Sequence, residues 1–567
     1  MLDRRSFLKG GVLAATTGAL AATVGCAPSG KKESASSAAA DAIDLPKGTL
    51  ASDFEESAVE PDFNGDVSAE ETYDIVVVGA GCSGLPAILT ALEEGATVGV
   101  LQKEADAAAN GAGCSAVILG HTNEKGLKHW VSDWQKENRW RLNTDLFDFY
   151  IQHSEETLSW IVQQAMSVDF APARFSTKNT ILYEDGGVIA TCEATSKSND
   201  ELMKKLIVKA QDLGAVVHFE TPAVQIETDS NGKVTGVIGK GKDGYIRMNA
   251  TKAVIMAAGD YQNNSSLVDR YCADVKDLWR KQTNRTGDGH LLASLAGGHI
   301  CSSNHAKQCH DLTSSGNTFM ATPFLALDPK GERFFNEECP MTSWNVVMKY
   351  HFTNEQPIIY RFFDSQYETK YKGVGQVPPM ETLEKNLTVN DTTGQRHMWK
   401  ADTIEELCKE LDLDAAAFKA SIDRYNELCA KGEDDDFGKN AAYMQPIDTP
   451  PFFVLQNKPG CSAINGGVEV DEHYQVVDQD RKPIEGLFAV GVNGGDLCGG
   501  IDWTMPGGVS NCHCFNAGRY ATIYALTGDL KPSNPCTFEQ VQDNFRDKNG
   551  QFNWENPAVA AKAIEIW

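Results

Sequence analysis

Gly79, Gly81 and Gly84 have the residue type and the G-x-G-x-x-G spacing to hold a diphosphate on bare backbone. The first glycine permits a tight turn, the second lets a pyrophosphate approach the chain, and the third lets the next helix pack closely. That helix, read from Leu85 to Glu94, aims free N–H groups and the positive end of its dipole at the anion. The chemistry implied is dinucleotide binding. The glycines alone say nothing about the reaction.

The elements around them support this reading. Ile75 to Val78 is an unbroken β-branched run, the composition of a strand buried on both faces of a parallel sheet. Thr97 to Leu101 reads as the second strand of a βαβ unit. Helical periodicity follows over Asp145 to Met166, and Asn199-Asp200 caps another helix running to Leu213. Strands are expected at 214–221 and 223–228, with Asn231-Gly232 turning the chain into 233–238. A further strand, 252–258, ends at Gly259-Asp260.

The formal charge is −27, from 51 Lys and Arg against 78 Asp and Glu. So acidic a chain, with no basic patch, disfavours nucleic acid as a partner. Asp3-Arg4-Arg5-Ser6-Phe7-Leu8-Lys9 and the apolar run Gly11 to Val24 read as a twin-arginine export signal over 1–26. Thr23-Val24-Gly25-Cys26-Ala27 is lipobox-like, with Thr23 where a leucine is usual, so Cys26 is a candidate for lipid attachment. Residues 27–70, rich in Ser, Ala, Asp and Glu, read as a flexible linker. The expected location is extracytoplasmic. Fifteen cysteines are scattered without any C-x-x-C, so no haem attachment or metal site is expected and most read as small core residues. An iron–sulfur cluster built from distant cysteines is the remaining alternative, with no spacing motif behind it.

Several separated motifs occur in order from about Tyr73 to Leu526. They are "KAVIMAAGDY" (252–261), "RTGDGHLLASLAGG" (285–298), "PKGERFFNE" (329–337) and "GLFAVGVNGG" (486–495). In these the chain resembles the FAD-dependent fumarate reductase/succinate dehydrogenase flavoproteins, including the soluble fumarate reductase, urocanate reductase and 3-ketosteroid dehydrogenase branches. The resemblance implies an α/β fold: a Rossmann-like FAD-binding domain split in sequence, with an inserted α+β capping domain. The parts would be 71–311, a cap at 312–445, and 446–567 for the second FAD part and tail.

The resemblance further implies that Gly79, Gly81, Ser83 and Gly84 cradle the FAD pyrophosphate, with Gln102 in place of the ribose-binding glutamate and Lys103 after it. Asn110 matches the asparagine of "GGN", Val224 falls where backbone meets adenine, and Ala258, Gly259 and Asp288 complete that side. Gly491 keeps the family glycine, and Val509 and Ser510 would open a helix facing the flavin. No histidine occurs in 108–120, where covalent members attach flavin, so FAD is expected to be non-covalent.

Fumarate reductases bind two carboxylates with arginines and histidines and protonate carbon through an arginine relay while flavin N5 delivers hydride. At the matching positions this chain has Asn317, Met320, Met341, Ala463 and Met505. A dicarboxylate buried without cationic partners costs several kcal/mol per charge, whereas methionine adapts to apolar ligands. These five residues are therefore expected to line an apolar pocket, and fumarate is disfavoured as substrate. The cap-side histidine falls at Cys309 without gaps or at His310 with a one-residue shift, and His310 is the leading candidate proton donor. Tyr261 and Asn465 are secondary candidates. Gly507-Gly508, similar to part of the "YPG" segment of ketosteroid dehydrogenases, offers N–H donors to a substrate carbonyl.

The expected activity is reduction of a C=C bond conjugated to a carbonyl in a largely apolar acceptor, such as a steroid, cardenolide-like lactone or plant-derived enone. Electrons would come from a membrane-associated cytochrome or quinol-linked donor. The alternatives are a 3-ketosteroid dehydrogenase running in the oxidative direction and a non-catalytic flavin-binding electron-transfer lipoprotein.

Overall fold

The structure is a computed structural model describing residues 45–555, apart from 303–304, 313–321, 341–342, 375–376, 378, 389–394, 496 and 498–506. The signal, Cys26, Asn317, Met320, Met341 and Met505 therefore lie outside the described residues.

Its organising element is the strand Val67–Val78, whose last four residues are buried. This strand pairs in parallel with Val98–Leu101 on one side and Gly244–Met256 on the other. Both neighbours extend the sheet in parallel, through Val216–His218 and Pro483–Ala489. Five aligned strands explain why the 75–78 run carries no polar alternation: both of its faces are covered. The outermost parallel strand, Pro483–Ala489, comes from far along the chain, so the nucleotide domain is split in sequence. The Ala223–Thr228/Val234–Gly241 hairpin joins the same sheet through Gly244–Met256.

The insert holds an antiparallel sheet ordered Leu325–Leu327, Ile359–Asp364, Phe452–Asn457, Met398–Ala401. The helices Ile404–Glu410 and Ala415–Lys431 pack on it through a core including Leu327, Phe362, Leu407, Phe418 and Val454. One of its strands, Phe452–Asn457, lies beyond the expected end of the cap at 445. The two prolines at 450 and 451 precede this strand, and the chain leaves the sheet only after Asn457.

The linker reading is also corrected over its described part. The short helix Ala51–Glu55 buries Asp53 and Phe54, and Asp53 pairs with Arg270. Val59 is buried, and Val67 already belongs to the central strand. Residues 45–70 therefore pack on the nucleotide domain, because a few apolar side chains in an acidic stretch suffice to dock it.

Two smaller sheets frame the site. One is ordered Trp279–Arg280, Pro459–Asn465, Ala306–Asp311, and the other Gly113–Val117, Thr191–Thr195, Arg174–Ser176. Between them starts the helix Val509–Thr527. A Cβ on its Gly518 would come within 2.0 Å of the Ser83 carbonyl, so this helix lies directly against the glycine loop.

Candidate active site

The glycine loop has the geometry its spacing implies. Gly79 adopts φ +102°, and a Cβ there would strike the Ala257 carbonyl at 2.4 Å. A Cβ on Gly84 would stand 2.0 Å from the Gly79 carbonyl, so only glycine lets the helix Gly84–Glu93 start here. From this loop an open cleft, with about 1040 Å³ of atom-free space including open solvent, runs to the start of the helix Val509–Thr527. Of the expected cofactor residues, Gly79, Gly81, Ser83, Gln102, Lys103, Asn110, Ala258, Gly259, Asp288 and Ser510 line it, as does Ala463 from the substrate set.

Several of these residues have internal roles. Gln102 braces the loop: its Oε1 accepts the Ala80 N–H (3.1 Å) and its Nε2 donates to the Asp106 carbonyl (2.6 Å). One lone pair and one N–H of its amide are thus used by backbone, and the side chain still lines the cleft. Lys103 donates to Asp288 Oδ2 (3.0 Å) and Thr286 Oγ1 (2.7 Å), joining the second strand to the helix Asp288–Leu295. Asn110 reaches across to the Ser462 carbonyl (2.9 Å).

Val224 is fully enclosed and its carbonyl accepts from Glu60, so Pro222 and Ala223 form that wall instead. Gly84 and Val509 pack beneath the cleft. Gly491 (φ +63°) lets the C-terminal half approach Ser83, while Val492 supplies the lining.

The secondary proton-donor candidates do not reach the cleft. Tyr261 is fully buried and hydrogen-bonded to His305 Nδ1, and burial pushes its pKa well above the ordinary value. Asn465 is only 4% exposed, and neither amide atom has a partner among the described residues. His310 lies two residues beyond the cleft-lining Gln308 on the strand Ala306–Asp311, past a register irregularity between Gln308 and Cys309, and does not itself line the cleft. Burial, then the Lys281 charge, lowers the His310 pKa to about 4. It is neutral at pH 7, which corrects the expected titration near neutrality; any proton it gives comes from a neutral imidazole.

Gly508 adopts φ +87° ahead of the helix Val509–Thr527 and its carbonyl accepts the Ser115 N–H (3.1 Å). The turn Gly507-Gly508 thus stands at a helix N-terminus, where free N–H groups stabilise a developing oxyanion.

Sequence reading missed Arg285, Gln262, Gln308, Ser462, Asn511 and Cys514, all on the cleft wall. Arg285 directly precedes Thr286-Gly287-Asp288 and its Cδ lies 3.2 Å from where a Gly259 Cβ would be. Its position just before that motif was the available signal. Strand alternation from His310 pointed to Gln308.

These features fit FAD. The cleft is long, one end is bare glycine backbone, and Arg285 provides positive charge beside it. On its wall Gln262 keeps a buried Oε1 with no partner among the described residues, an acceptor that a bound polar ring can satisfy. Among the described residues the one group of three metal-type ligands within 4.8 Å is Asp471, Glu472 and His473, and no cysteine belongs to it.

Comparison with known proteins agrees. The FAD binding domain model matches residues 74–511. Vinyl phenol reductase of Lactiplantibacillus plantarum is 26% identical over 496 residues, covering 81% of this chain and 98% of that protein. Digoxin reductase of Eggerthella lenta is 24% identical over 567 residues, covering 89% and 94%. The open conformation of a flavocytochrome c3 fumarate reductase shares the fold, with a TM-score of 0.64 at 22% identity over 81% of this chain and 79% of that one. The chain therefore belongs to the FAD binding domain family and is an FAD-dependent oxidoreductase.

Proposed function

We propose that the protein reduces a C=C bond conjugated to a carbonyl or equivalent oxygen-bearing group in a largely apolar, uncharged acceptor, and not fumarate. The observation that carries this is Ala463: it lines the cleft opposite Gln308 in register, where a dicarboxylate-binding histidine is expected. Methionines at 320, 341 and 505, in place of the arginines, support it from the sequence. Two relatives, named for vinyl phenol and digoxin, support it, whereas others are named for fumarate, urocanate and acrylate.

FAD, when bound, supplies the hydride. The chain's own residues do the rest. Gly79, Gly81, Ser83 and Arg285 hold the diphosphate, and the Lys103–Asp288 pair fixes the wall beside it. The Gly507-Gly508 N–H groups hold the acceptor's oxygen and stabilise charge that builds there as the conjugated carbon is attacked. His310, on the strand that brings Gln308 to the cleft, is the proton donor of this reading. The twin-arginine motif and Cys26 support export with lipid attachment, and a quinol-linked or cytochrome partner would supply electrons.

The test is anaerobic: reduced holoprotein is mixed with enones, vinyl phenols, fumarate and urocanate, and flavin reoxidation is followed. Reoxidation by the uncharged acceptors and none by fumarate supports the proposal. Turnover of fumarate or urocanate alone contradicts it.

A further inference from the structure

Beside the Gly507-Gly508 turn lies a carboxylate that neither the cofactor site nor the proton-donor reading uses. Glu193 sits in the middle strand of the Gly113–Val117, Thr191–Thr195, Arg174–Ser176 sheet, directly opposite Ser115. In antiparallel register, paired residues and those two along share a face, so Glu193, Ser115 and Gly113 point the same way. Glu193 Oε1 lies 2.9 Å from where a Cβ on Gly113 would be, and 3.7 Å from where a Cβ on Gly507 would be. A Cβ on Gly113 would also lie 3.4 Å from Gly508 Cα. Two glycines therefore make room for this carboxylate next to the turn.

Its partnering is incomplete. Glu193 is 8% exposed, and its one side-chain partner among the described residues is Arg174, half exposed and bonded from a single nitrogen to Oε2 at 3.3 Å. That is longer than the 2.7–2.9 Å of a strong charge-assisted bond. Oε1 has no hydrogen-bond partner among the described residues. Ser115, 1% exposed, also keeps a hydroxyl without a partner among them. A largely buried carboxylate held by one long contact is a poor stabilising device, because desolvation offsets what the pair gains. It is a good receptor for a donor brought from outside.

We propose that Glu193 Oε1 accepts a hydrogen bond from a hydroxyl group of the substrate, so that the preferred acceptors carry a phenolic or alcoholic OH at the end held by the Gly507-Gly508 turn. This rests on the reading that the acceptor's oxygen lies at that turn. A hydroxyl oxygen there both accepts from a glycine N–H and donates to Glu193. A carbonyl does only the first, and a substrate carboxylate is repelled by Glu193, which adds a positive reason for the exclusion of fumarate.

The experiment uses oxidised, FAD-loaded protein titrated with 4-ethylphenol and its methyl ether, 4-ethylanisole, with binding read from the flavin absorbance band. The phenol is expected to bind at least ten times more tightly. Glu193→Ala is expected to remove that preference and leave the ether unchanged. Glu193→Gln, close in shape, is expected to weaken phenol binding several-fold and to improve binding of 3-phenylpropanoate. Should the alanine variant fail to load FAD, the glutamine variant carries the same comparison. Equal binding of phenol and ether by the unaltered protein, or a preference unmoved by either substitution, overturns the proposal. Preference present but no reoxidation of reduced flavin by any conjugated alkene would leave the hydroxyl site standing and remove the reductase reading instead.

Discussion

At the residue scale, close approach decides what the site tolerates. Gly84→Ala sets a methyl 2.0 Å from the Gly79 carbonyl, a backbone atom that cannot swing aside. The variant is expected to lose FAD affinity by more than tenfold or to misfold, as read by bound flavin per chain after gel filtration. His310 gives a second expectation. Because it is held near pKa 4, His310→Asn should lower kcat while the pH profile of the remaining activity keeps its shape between pH 6 and 8. A step near pH 6.5 in kcat that vanishes in the variant would contradict a neutral His310. Residue types alone could not show this, since exposure of an imidazole is set by distant chain.

At the element scale, the glycine loop, its helix and the strands on either side were legible because their signals are local: a β-branched run, fixed glycine spacing and helix caps. The end of the cap was not. Asp434, the first of three consecutive aspartates, is buried against Arg333 (2.8 Å). Arg333 also pairs with Glu337 (2.8 Å), and Lys439 reaches Glu337 (3.2 Å) and the Pro323 carbonyl (2.6 Å). Burial would raise the Glu337 carboxyl, but Lys439 and Arg333 together hold it below the ordinary range. These four charges tie the segment after the helix Ala415–Lys431 to the strand Leu325–Leu327. Breaking a buried pair on one side strands the other charge, at about 3–5 kcal/mol. Glu337→Ala should therefore lower the denaturant midpoint strongly, and a change under about 1 kcal/mol would show that the network carries little.

At the scale of the whole molecule, buried histidines make the fold acid-sensitive. Burial lowers His153, His290, His305, His310 and His513 to about 4 each. Above pH 6.5 they are neutral in both folded and unfolded chain. As pH falls from about 6.5 toward 4, the unfolded chain takes up protons that the folded chain refuses, so stability falls with pH, by up to about 1.4 kcal/mol per pH unit for each histidine. Urea midpoints at pH 7, 6 and 5 should decline steadily, whereas a flat series would contradict the burial of these rings.

The family and the cofactor followed from motifs spread along the chain. The substrate end was legible only as missing arginines, and Glu193, a lone glutamate in a short strand, carries no sequence signal. The central claim is that this end serves an uncharged conjugated acceptor. The most direct measurement is the rate at which anaerobically reduced holoprotein is reoxidised by 4-vinylphenol or an enone against fumarate, at equal concentration. The account predicts reoxidation by the uncharged acceptors at least a hundred times faster than by fumarate. Fumarate reoxidising the flavin as fast as either would contradict it.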